Sequence, residues 1–261
     1  MDTWRLVYLE THDAFMNMAI DEAILTARMA NKVPNTLRLY KWQPSAVSIG
    51  RNQNIEEEVY SERAHSYGVD LVRRISGGGA VYHDQNGEVT YSVTAETASL
   101  GKDIPSVYQR IYEAVVDALR IIGISADFSP GNTKNCPNLT VSNRKISGSA
   151  QTIRRGIVLQ HGTILLDADL QKMFELLRIR STSDCTQAAR IAENKITSIK
   201  NELHHPVTAE TAANALIQGF QAMLKIRIES GALTPYEDEI AKRLCREKYA
   251  TYSWNALGKT A

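Results

Sequence analysis

The chain has 261 residues, a length that suits one large α/β domain or one domain with a small appendage. Its 30 Lys and Arg residues nearly balance its 29 Asp and Glu residues, which excludes broad electrostatic capture of nucleic acid or of an anionic membrane as the main function. Its apolar runs are far shorter than the ~20 residues of a membrane span, and its first residues lack a signal-peptide pattern. The 3 cysteines, without CxxC spacing, favour a reducing compartment and argue against a structural zinc site. We therefore expect a cytoplasmic protein with no nucleic-acid or membrane partner.

The first hundred residues are predicted to form mainly short strands. Between the first two strands, apolar residues recur at helical spacing from Met16 to Ala27, as in an amphipathic helix with one buried face. A charged segment at 55–67 is also predicted to be helical. A hairpin is predicted from 80–83 and 88–93, around the turn residues that end at Gly87. The remaining strands of this part are predicted at 4–9, 36–40, 46–50 and 69–74.

The second half changes from strands to helices. A long amphipathic helix is predicted over 104–122, with Gly123 ending it. The pair Ser142-Asn143 suits a two-residue turn between two of the strands that follow, which are predicted at 124–128, 139–141, 145–151 and 157–166. Residues 178–195 show no clear period and are interpreted as a loop. The helices predicted beyond Asp167 cover 170–177, 209–224 and 235–249.

This mixed order of elements predicts an α+β fold, in which a largely antiparallel or mixed sheet is flanked by helices. A doubly wound parallel sheet would need regular alternation of strands and helices instead. We assign residues 1–200 to the core of the domain and residues 201–261 to a helical C-terminal extension of the same domain.

The segment Arg73–Ala80 (RRISGGGA) carries three consecutive glycines directly after two arginines. Each glycine costs about 1 kcal/mol relative to alanine in regular structure, so three in a row indicate a specific requirement. A backbone without Cβ atoms can approach a ligand and offer N–H groups to phosphate oxygens. Arg73 and Arg74 add donors for phosphate or carboxylate. The alternative is a glycine-rich bulge with no ligand, but the paired arginines favour an anion site. The spacing fits neither a Walker loop nor a Rossmann fingerprint.

Two further segments contain chemistry-bearing residues beside small ones. Lys145 lies in Asn143–Gln151 (NRKISGSAQ), and a compact cation there can contact a carboxylate and an adjoining phosphate together. Taken alone, a lysine of this kind is more often a solvated surface residue. His161 lies before a glycine in Gln160–Leu165 (QHGTIL), beside a pocket or, as the simpler alternative, as a hydrogen-bonded structural histidine.

Four segments in this order resemble the lipoate–protein ligase A family, within the superfamily of biotin/lipoate ligases and octanoyltransferases. They are Ser48–Asn54 (SIGRNQN), Arg73–Asp84 (RRISGGGAVYHD), Asn143–Gln151 and Gln160–Leu165. The resemblance covers roughly residues 4 to 200 and is weaker beyond. It implies a class II biotin/lipoate ligase-like catalytic domain, with the ligase-like core in residues 1–200.

The resemblance implies a two-step reaction. Lipoate (or octanoate) and ATP, with Mg²⁺, would first give the acyl-AMP and pyrophosphate. A lysine of a lipoyl-carrier domain would then attack the acyl-AMP and form an amide. The implied partners are the lipoyl domain of a 2-oxoacid dehydrogenase or the glycine-cleavage H protein. The bacterial two-domain ligases carry an accessory domain for which this chain has no room, so a separate accessory subunit is also expected.

The resemblance places Lys145 at the reacting centre, where its charge would stabilise both the carboxyl oxygen and the α-phosphate. It assigns no metal ligands. The residues that it implies around ATP or lipoyl-AMP are Arg74, Ser76, Gly77, Gly78, Gly79, Ala80, Val81, Tyr82, His83, Asn138, Lys145, Ser147, Gly148, Ala150, His161 and Thr163. Those placed in the lipoyl tunnel are Met16, Ala19, Ile20, Val47, Gly50 and Arg51.

One position departs from the ligase pattern. Leu139 stands where relatives usually have an acid that helps to hold magnesium or the adenylate. The departure moves the metal contact to another group, such as Asp84 or Asp70, or leaves it in doubt.

Two other functions remain open. An ATP-independent octanoyltransferase would take the acyl group from acyl carrier protein on a cysteine, and Cys136 is the cysteine near the Lys145 segment. The stretch Gly87–Val93 resembles that branch, whereas Arg51–Asn54 and the triple glycine favour the ligase, so we interpret Cys136 as an ordinary loop residue. A non-catalytic homologue is the third reading, supported by the missing acid and opposed by the intact Lys145. Biotin ligation fits less well, because its glycine-arginine loop is absent.

Overall fold

An eight-stranded mixed sheet crosses the computed structural model, which describes residues 1–131, 136–179, 182 and 184–259. The strands of these residues are β1 (Thr3–His12), β2 (Thr36–Trp42), β3 (Ala46–Ile49), β4 (Asp70–Arg73), β5 (Val81–His83), β6 (Glu88–Glu96), β7 (Asp127–Ser129), β8 (Asn138–Val141), β9 (Arg144–Arg154), β10 (Ile157–Leu165) and β11 (Arg227–Ser230). The large sheet has the order β11-β1-β2-β6-β10-β9-β8-β7. Strand β1 is parallel to β11 and β2, and the other neighbours are antiparallel. The predicted α+β class with a mixed sheet is confirmed.

A second, three-stranded sheet has the order β4-β3-β5. It shows that the predicted hairpin of 80–83 and 88–93 is wrong, because β5 pairs with β3 while β6 pairs with β2 and β10. The Asp84 carboxylate accepts from the backbone N–H groups of Asn86 and Gly87, and the Gly87 carbonyl accepts from Leu166 and Asp167. These bonds hold a turn that carries the chain from one sheet to the other.

Helices cover both faces of the large sheet. They are α1 (Ala14–Met29), α2 (Ile55–Glu58), α3 (Ser61–Ser66), α4 (Ile104–Ile122), α5 (Leu170–Leu176), α6 (Cys185–Glu193), α7 (Ile199–Leu203), α8 (Ala209–Leu224), α9 (Pro235–Leu244) and α10 (Tyr252–Asn255). The prediction for α4 is confirmed at both ends: Asp103 and Ser106 form a capping box, and Gly123 ends the helix at φ 99°. Among the described residues, no helix combines the length and the apolar character that a membrane crossing requires.

The two faces of the large sheet have different characters. On one face, Leu37, Leu39 and Val93 pack against the buried sides of α4 and α8 in the main hydrophobic core. On the other face, β2 carries Arg38, Tyr40 and Trp42, which alternate with those leucines along the strand. The second face therefore brings polar and aromatic side chains under α1 and the small sheet.

The C-terminal part differs from its prediction in three places. Arg227–Ser230 forms the edge strand β11 beside β1, because a four-residue strand gives too short a pattern to recognise. The segment predicted as a loop contains α6, although residues 180, 181 and 183 of that segment lie outside the described residues. The last long helix ends at Leu244 and continues as a π turn over Cys245–Tyr249. Helix α8 packs on α4, and α9 packs on α1.

Candidate active site

A cavity lies between the large and the small sheet, and both apolar and charged side chains line it. One wall comes from β2, β6, β9 and β10, and the facing wall comes from β3, β5 and the glycine loop, which we define as Gly77–Gly79. The apolar part of the lining consists of Met18, Tyr40, Trp42, Val81, Pro137 and Ala150.

The Arg74 guanidinium holds the glycine loop together from within. Nη2 donates to the carbonyl oxygens of Gly77 at 2.7 Å and Gly79 at 2.6 Å. Nη1 donates to the carbonyl and the hydroxyl of Ser48, both at 3.1 Å. Burial lowers the pKa of Arg74 to about 10, partly offset by the nearby Cys136 sulfur. Arg74 therefore shapes the loop, and its contact with a ligand phosphate stays a prediction.

Two positions in this region require glycine, one for a close backbone approach and one for its backbone conformation. A Cβ at Gly50 would collide with the carbonyl oxygen of Gly78. Gly78 itself has φ 87°, in the left-handed region that favours glycine. Gly50, predicted in the tunnel, thus supports the glycine loop from below.

Arg73 turns away from the cavity toward the C-terminal segment. Its guanidinium, buried with the rest of the side chain, donates to six carbonyl oxygens, those of Gly50, Arg51, Gln53, Trp254, Asn255 and Ala256. The expected participation of Arg73 in an anion site does not hold, because all its donor groups face the backbone.

Lys145 reaches the cavity from the start of β9. Its side chain crosses Gly148, where a Cβ would lie 2.6 Å from both Cε and Nζ, so the small residue makes room for the lysine itself. Lys145 is exposed to the cavity, yet the protein atoms around its ammonium group desolvate it and lower its pKa. The Cys136 sulfur opposes that shift and the Arg74 charge reinforces it. The backbone of Lys145 pairs with Lys195 and Thr197, a contact that the sequence pattern did not reveal.

Cys136 also lines the cavity, on the side of Lys145. A Cβ at Gly78 would lie 3.7 Å from its Sγ, which places the thiol directly against the glycine loop. Asn138, predicted as a ligand contact, donates from Nδ2 to the Cys136 carbonyl at 3.2 Å. Interpreting Cys136 as an ordinary loop residue is therefore at odds with its position among the groups predicted to react.

His161 links three elements around the cavity. Its Nε2 lies 2.6 Å from the Oγ of Ser76, and its Nδ1 lies 3.0 Å from the Oδ2 of Asp21 on α1. Asp21 also accepts from Arg38 at 2.9 Å and from Tyr40 at 3.2 Å. Ser76 is fully buried and does not line the cavity, so this Asp–His–Ser arrangement braces the glycine loop.

His83 forms a second buried link on the opposite wall. Its Nε2 lies 2.8 Å from the Ser48 hydroxyl, and its Nδ1 lies 2.8 Å from Glu88. Its ring stacks on Trp42, with centroids 4.0 Å apart, and the Trp42 indole donates to Thr90. These contacts fix the orientation of the aromatic wall.

The structure brings most of the predicted nucleotide- and acyl-binding residues to one cavity. Those on its wall are Arg74, Gly78, Gly79, Ala80, Val81, His83, Lys145, Gly148, Ala150, His161 and Thr163. Side chains alternate along a strand, so Ser147 faces away from the cavity side of Gly148 and Ala150, and a register irregularity between β8 and β9 returns Lys145 to the cavity. Tyr82 packs with Val47 away from the cavity. The other predicted residues beside the wall are Ser76, Gly77 and Asn138, whose positions are given above.

The predicted tunnel residues lie elsewhere. Met16 and Ile20 face α9, and Ala19 is buried in the packing of α1 on the sheet. Arg51 lies over the Trp254 ring at 4.5 Å. Helical phase explains the error on α1, because Met18 is the residue that turns to the cavity. Sequence reasoning also missed Asp21, Tyr40 and Trp42, although the alternation of Arg38 with leucines along β2 was a usable signal.

The donor set around the cavity does not fit a magnesium site. Within the described ranges, no three His, Cys, Asp or Glu residues group as metal ligands. Leu139, at the position of the expected acid, is buried in the main core. Asp84 holds the turn before β6, and Asp70 accepts from the N–H of Ala14 at 3.1 Å, so neither replaces that acid at the cavity.

In fold, the chain is similar to lipoate–protein ligases. A bi-partite lipoate protein ligase from Thermoplasma acidophilum, described with its E2 lipoyl domain, superposes with a TM-score of 0.86 at 30% identity, covering 100% of this chain and 99% of that one. A lipoate-protein ligase A bound with ATP gives 0.84 at 31%, covering 98% and 99%.

Residues 13–221 match the model of the lipoyl protein ligase A/B catalytic domain, so the chain belongs to that family. Octanoyltransferase LipM of Kyrpidia tusciae is 38% identical, with 98% of this chain and 99% of that protein covered. Octanoyltransferase LipM of Bacillus subtilis is 34% identical, with 97% and 98% covered.

Proposed function

We propose that this protein is an octanoyltransferase that carries the acyl group on Cys136 and passes it to a lysine of a lipoyl-carrier domain. The single observation that carries the proposal is the position of the Cys136 thiol, in one cavity with Lys145 and Arg74. The relatives named octanoyltransferase, matched over nearly their whole length, support the same reaction.

Two cations, Lys145 and Arg74, line the cavity beside the Cys136 thiol. The charge interactions of Cys136 with Lys145 and with Arg74 are both attractive when the sulfur is ionised. Arg74 is held by four hydrogen bonds, whereas no hydrogen bond or ion pair joins Lys145 Nζ to another side chain of the described residues. The Lys145 charge is therefore available to the reacting groups.

In the first half-reaction, the Cys136 sulfur attacks the carbonyl carbon of an acyl thioester on acyl carrier protein. A carbon–sulfur bond forms to Cys136, the bond to the carrier sulfur breaks, and the departing thiolate takes up the proton that Cys136 gave away. Lys145 supplies positive charge for the oxyanion that develops on the carbonyl oxygen. The aromatic and aliphatic wall of Met18, Tyr40 and Trp42 accepts the acyl tail.

In the second half-reaction, the neutral amine of a carrier lysine attacks the thioester on Cys136. The new carbon–nitrogen bond replaces the carbon–sulfur bond, and the amine proton returns to the sulfur. Both half-reactions balance without ATP or a metal ion. This suits a chain in which Leu139, buried in the main core, occupies the position of the acid expected of a ligase.

The test is octanoyl transfer from octanoyl acyl carrier protein to a lipoyl domain or H protein, without ATP. Cys136→Ser is expected to lower the rate roughly 10³-fold or more, as loss of a nucleophile does. Cys185→Ser and Cys245→Ser are matched controls, because both cysteines lie outside the cavity lining. Mass spectrometry of the wild type with donor alone is expected to show one octanoyl group on the Cys136 peptide. Full transfer by Cys136→Ser would overturn the proposal.

An ATP-dependent lipoate ligase is the second candidate. The glycine loop and the similarity in fold to a lipoate-protein ligase A bound with ATP favour it. Lipoate-dependent ATP–pyrophosphate exchange that persists in Cys136→Ser and falls at least ~100-fold in Lys145→Ala would establish this activity instead.

The acyl acceptor in either case is a lipoyl domain of a 2-oxoacid dehydrogenase or the H protein. The Thermoplasma acidophilum structure, described as bi-partite and with its E2 lipoyl domain, supports this class of acceptor. A thioester route needs no adenylation, so we expect transfer by this chain alone, whereas the ligase reading expects a separate accessory subunit.

A further inference from the structure

We propose that Tyr112 is a positioning residue for Cys136, which it fixes through the Pro137 carbonyl from the far side of the large sheet. The inference rests on the proposed function only in taking Cys136 as the reactive thiol. Tyr112 itself lies in α4, is fully buried and does not line the cavity.

Three hydrogen bonds form a chain that ends beside the thiol. Gln160 Nε2 donates to Ser149 Oγ at 3.2 Å, Ser149 Oγ donates to Tyr112 OH at 2.8 Å, and Tyr112 OH donates to the Pro137 carbonyl at 3.0 Å. The direction is forced from the Pro137 end. A carbonyl only accepts, so the single Tyr112 proton goes to it, and Ser149 must then donate to Tyr112.

Because Pro137 follows Cys136, the hydrogen bond from Tyr112 to the Pro137 carbonyl can orient Cys136. Proline fixes its own φ and restricts the residue before it to extended conformations. Holding the Pro137 carbonyl therefore orients the backbone on the C-terminal side of Cys136. Asn138 donates to the Cys136 carbonyl at 3.2 Å, so both carbonyls of the Cys136-Pro137 pair accept a side-chain hydrogen bond. The thiol is thereby kept against Gly78 and near Lys145.

The other members of this hydrogen-bond chain are held by the large sheet and the main core. Ser149 and Gln160 lie on the neighbouring strands β9 and β10, and the Tyr112 ring packs against Phe128 with centroids 5.4 Å apart. The position of Cys136 is thus tied to the sheet and to the longest helix of the main core.

The experiment measures alkylation of Cys136 by neutral iodoacetamide and by anionic iodoacetate in the full chain without substrate at pH 7, read on the Cys136 peptide by mass spectrometry. Tyr112→Phe is expected to lower the iodoacetate-to-iodoacetamide rate ratio about five-fold, because the thiol drifts from Lys145 and Arg74, whose charges attract the anionic reagent. Ser149→Ala is expected to act in the same direction and more weakly. The double variant is expected to match Tyr112→Phe, since Ser149 acts through Tyr112.

Tyr249→Phe is the matched control. It removes a hydroxyl that is also fully buried and hydrogen-bonded, to Glu22 at 2.6 Å, but that lies outside the cavity lining, so the rate ratio is expected to stay at the wild-type value. Thermal unfolding of each variant separates lost positioning from lost folding, and Ser149→Ala keeps the test available if Tyr112→Phe unfolds.

A wild-type rate ratio in folded Tyr112→Phe, or an equal change in Tyr249→Phe, would overturn the inference. Alkylation needs neither acyl donor nor acceptor, so this result is independent of the proposed activity. If Cys136→Ser still transfers octanoyl groups, the proposed function fails while the positioning of Cys136 by Tyr112 stands or falls on its own measurement.

Discussion

Asp21 is the residue on which several buried groups depend. It accepts hydrogen bonds from Arg38, Tyr40 and His161, and all three side chains are buried. Burial raises its pKa, but the hydrogen bond from His161 and the charge of Arg38 outweigh burial and leave the pKa below its usual value. The ionised form is therefore part of the folded state.

Replacing Asp21 by Ala is expected to lower the free energy of unfolding by about 3–5 kcal/mol at pH 7, because it leaves the buried Arg38 charge with only the longer, partly exposed contact to Glu10 as an ion pair. Urea unfolding measures the loss. Asp13→Ala is the control, since Asp13 only caps the exposed start of α1 and its loss costs about 1 kcal/mol. Equal losses in the two variants would contradict the role given to Asp21.

The lowered pKa of Asp21 also predicts a direction for acid unfolding. The stabilisation is complete above the ordinary value of 3.8 and is lost as pH falls through the lower folded value. The wild type is therefore expected to lose more stability than Asp21→Asn between pH 5 and pH 3. Urea midpoints at these two pH values give the comparison, and parallel losses would rule the effect out.

The lowered pKa of Lys145 predicts how the rate of octanoyl transfer changes at alkaline pH. Desolvation by the surrounding protein atoms lowers its pKa from 10.5, so its charge disappears at a lower pH than that of a solvated lysine. Octanoyl transfer is expected to fall as pH rises through this lowered value. In Lys145→Arg the charge persists, so the decline is expected at higher pH, whatever the absolute rate. An unchanged alkaline limb would show that the Lys145 charge is not what titrates.

Among the elements, the glycine loop depends on its neighbour β3. Gly50→Ala places a methyl group against the Gly78 carbonyl and is expected to lower octanoyl transfer at least ~10-fold, since small displacements of a site are costly. Gly77→Ala is the comparison: nothing lies within 4 Å of a Cβ there, so a much smaller loss is expected. Initial rates at saturating donor decide between them.

Elements with a long or clear pattern could be predicted from the sequence. Helix α4 has 19 residues, a polar cap and a terminal glycine, and both of its ends were identified. Positive φ at Ser142 and Asn143 bears out the two-residue turn. The hairpin failed because the pairing of β5 with β3 depends on residues far apart in the chain, which no local pattern encodes.

In the site, too, local sequence patterns predicted some features, whereas features set by distant residues were missed. The motif segments located Lys145, His161 and the glycine loop, because their residue types are unusual in those contexts. The roles of Arg73 and Arg74 were not predictable, since whether a guanidinium meets a phosphate or a backbone carbonyl depends on the packed loop around it. Asp21 and Tyr112 give no local signal, because each acts on groups 17 or more residues away in the chain.

At the scale of the whole molecule, the C-terminal segment is part of the support of the site. The Trp254 indole donates to the Arg73 carbonyl at 2.7 Å, and the Arg73 guanidinium binds three carbonyls of 254–256. Trp254→Phe is expected to cost about 1–3 kcal/mol of unfolding free energy, because the buried Arg73 carbonyl loses its donor. Tyr252→Phe, on the same helix and 77% exposed, is expected to change little; an equal loss there would contradict this account.

The hydrogen bonds from Arg73 to the carbonyls of 254–256 can form only late in the synthesis of the chain. At ~5–20 residues per second, Trp254 leaves the ribosome on the order of ten seconds after the glycine loop. During that interval Arg73 lacks three of its six partners, and β1 lacks its neighbour β11. A nascent chain can therefore form the central strands early, but we expect the support of the glycine loop to be complete only once α10 has docked.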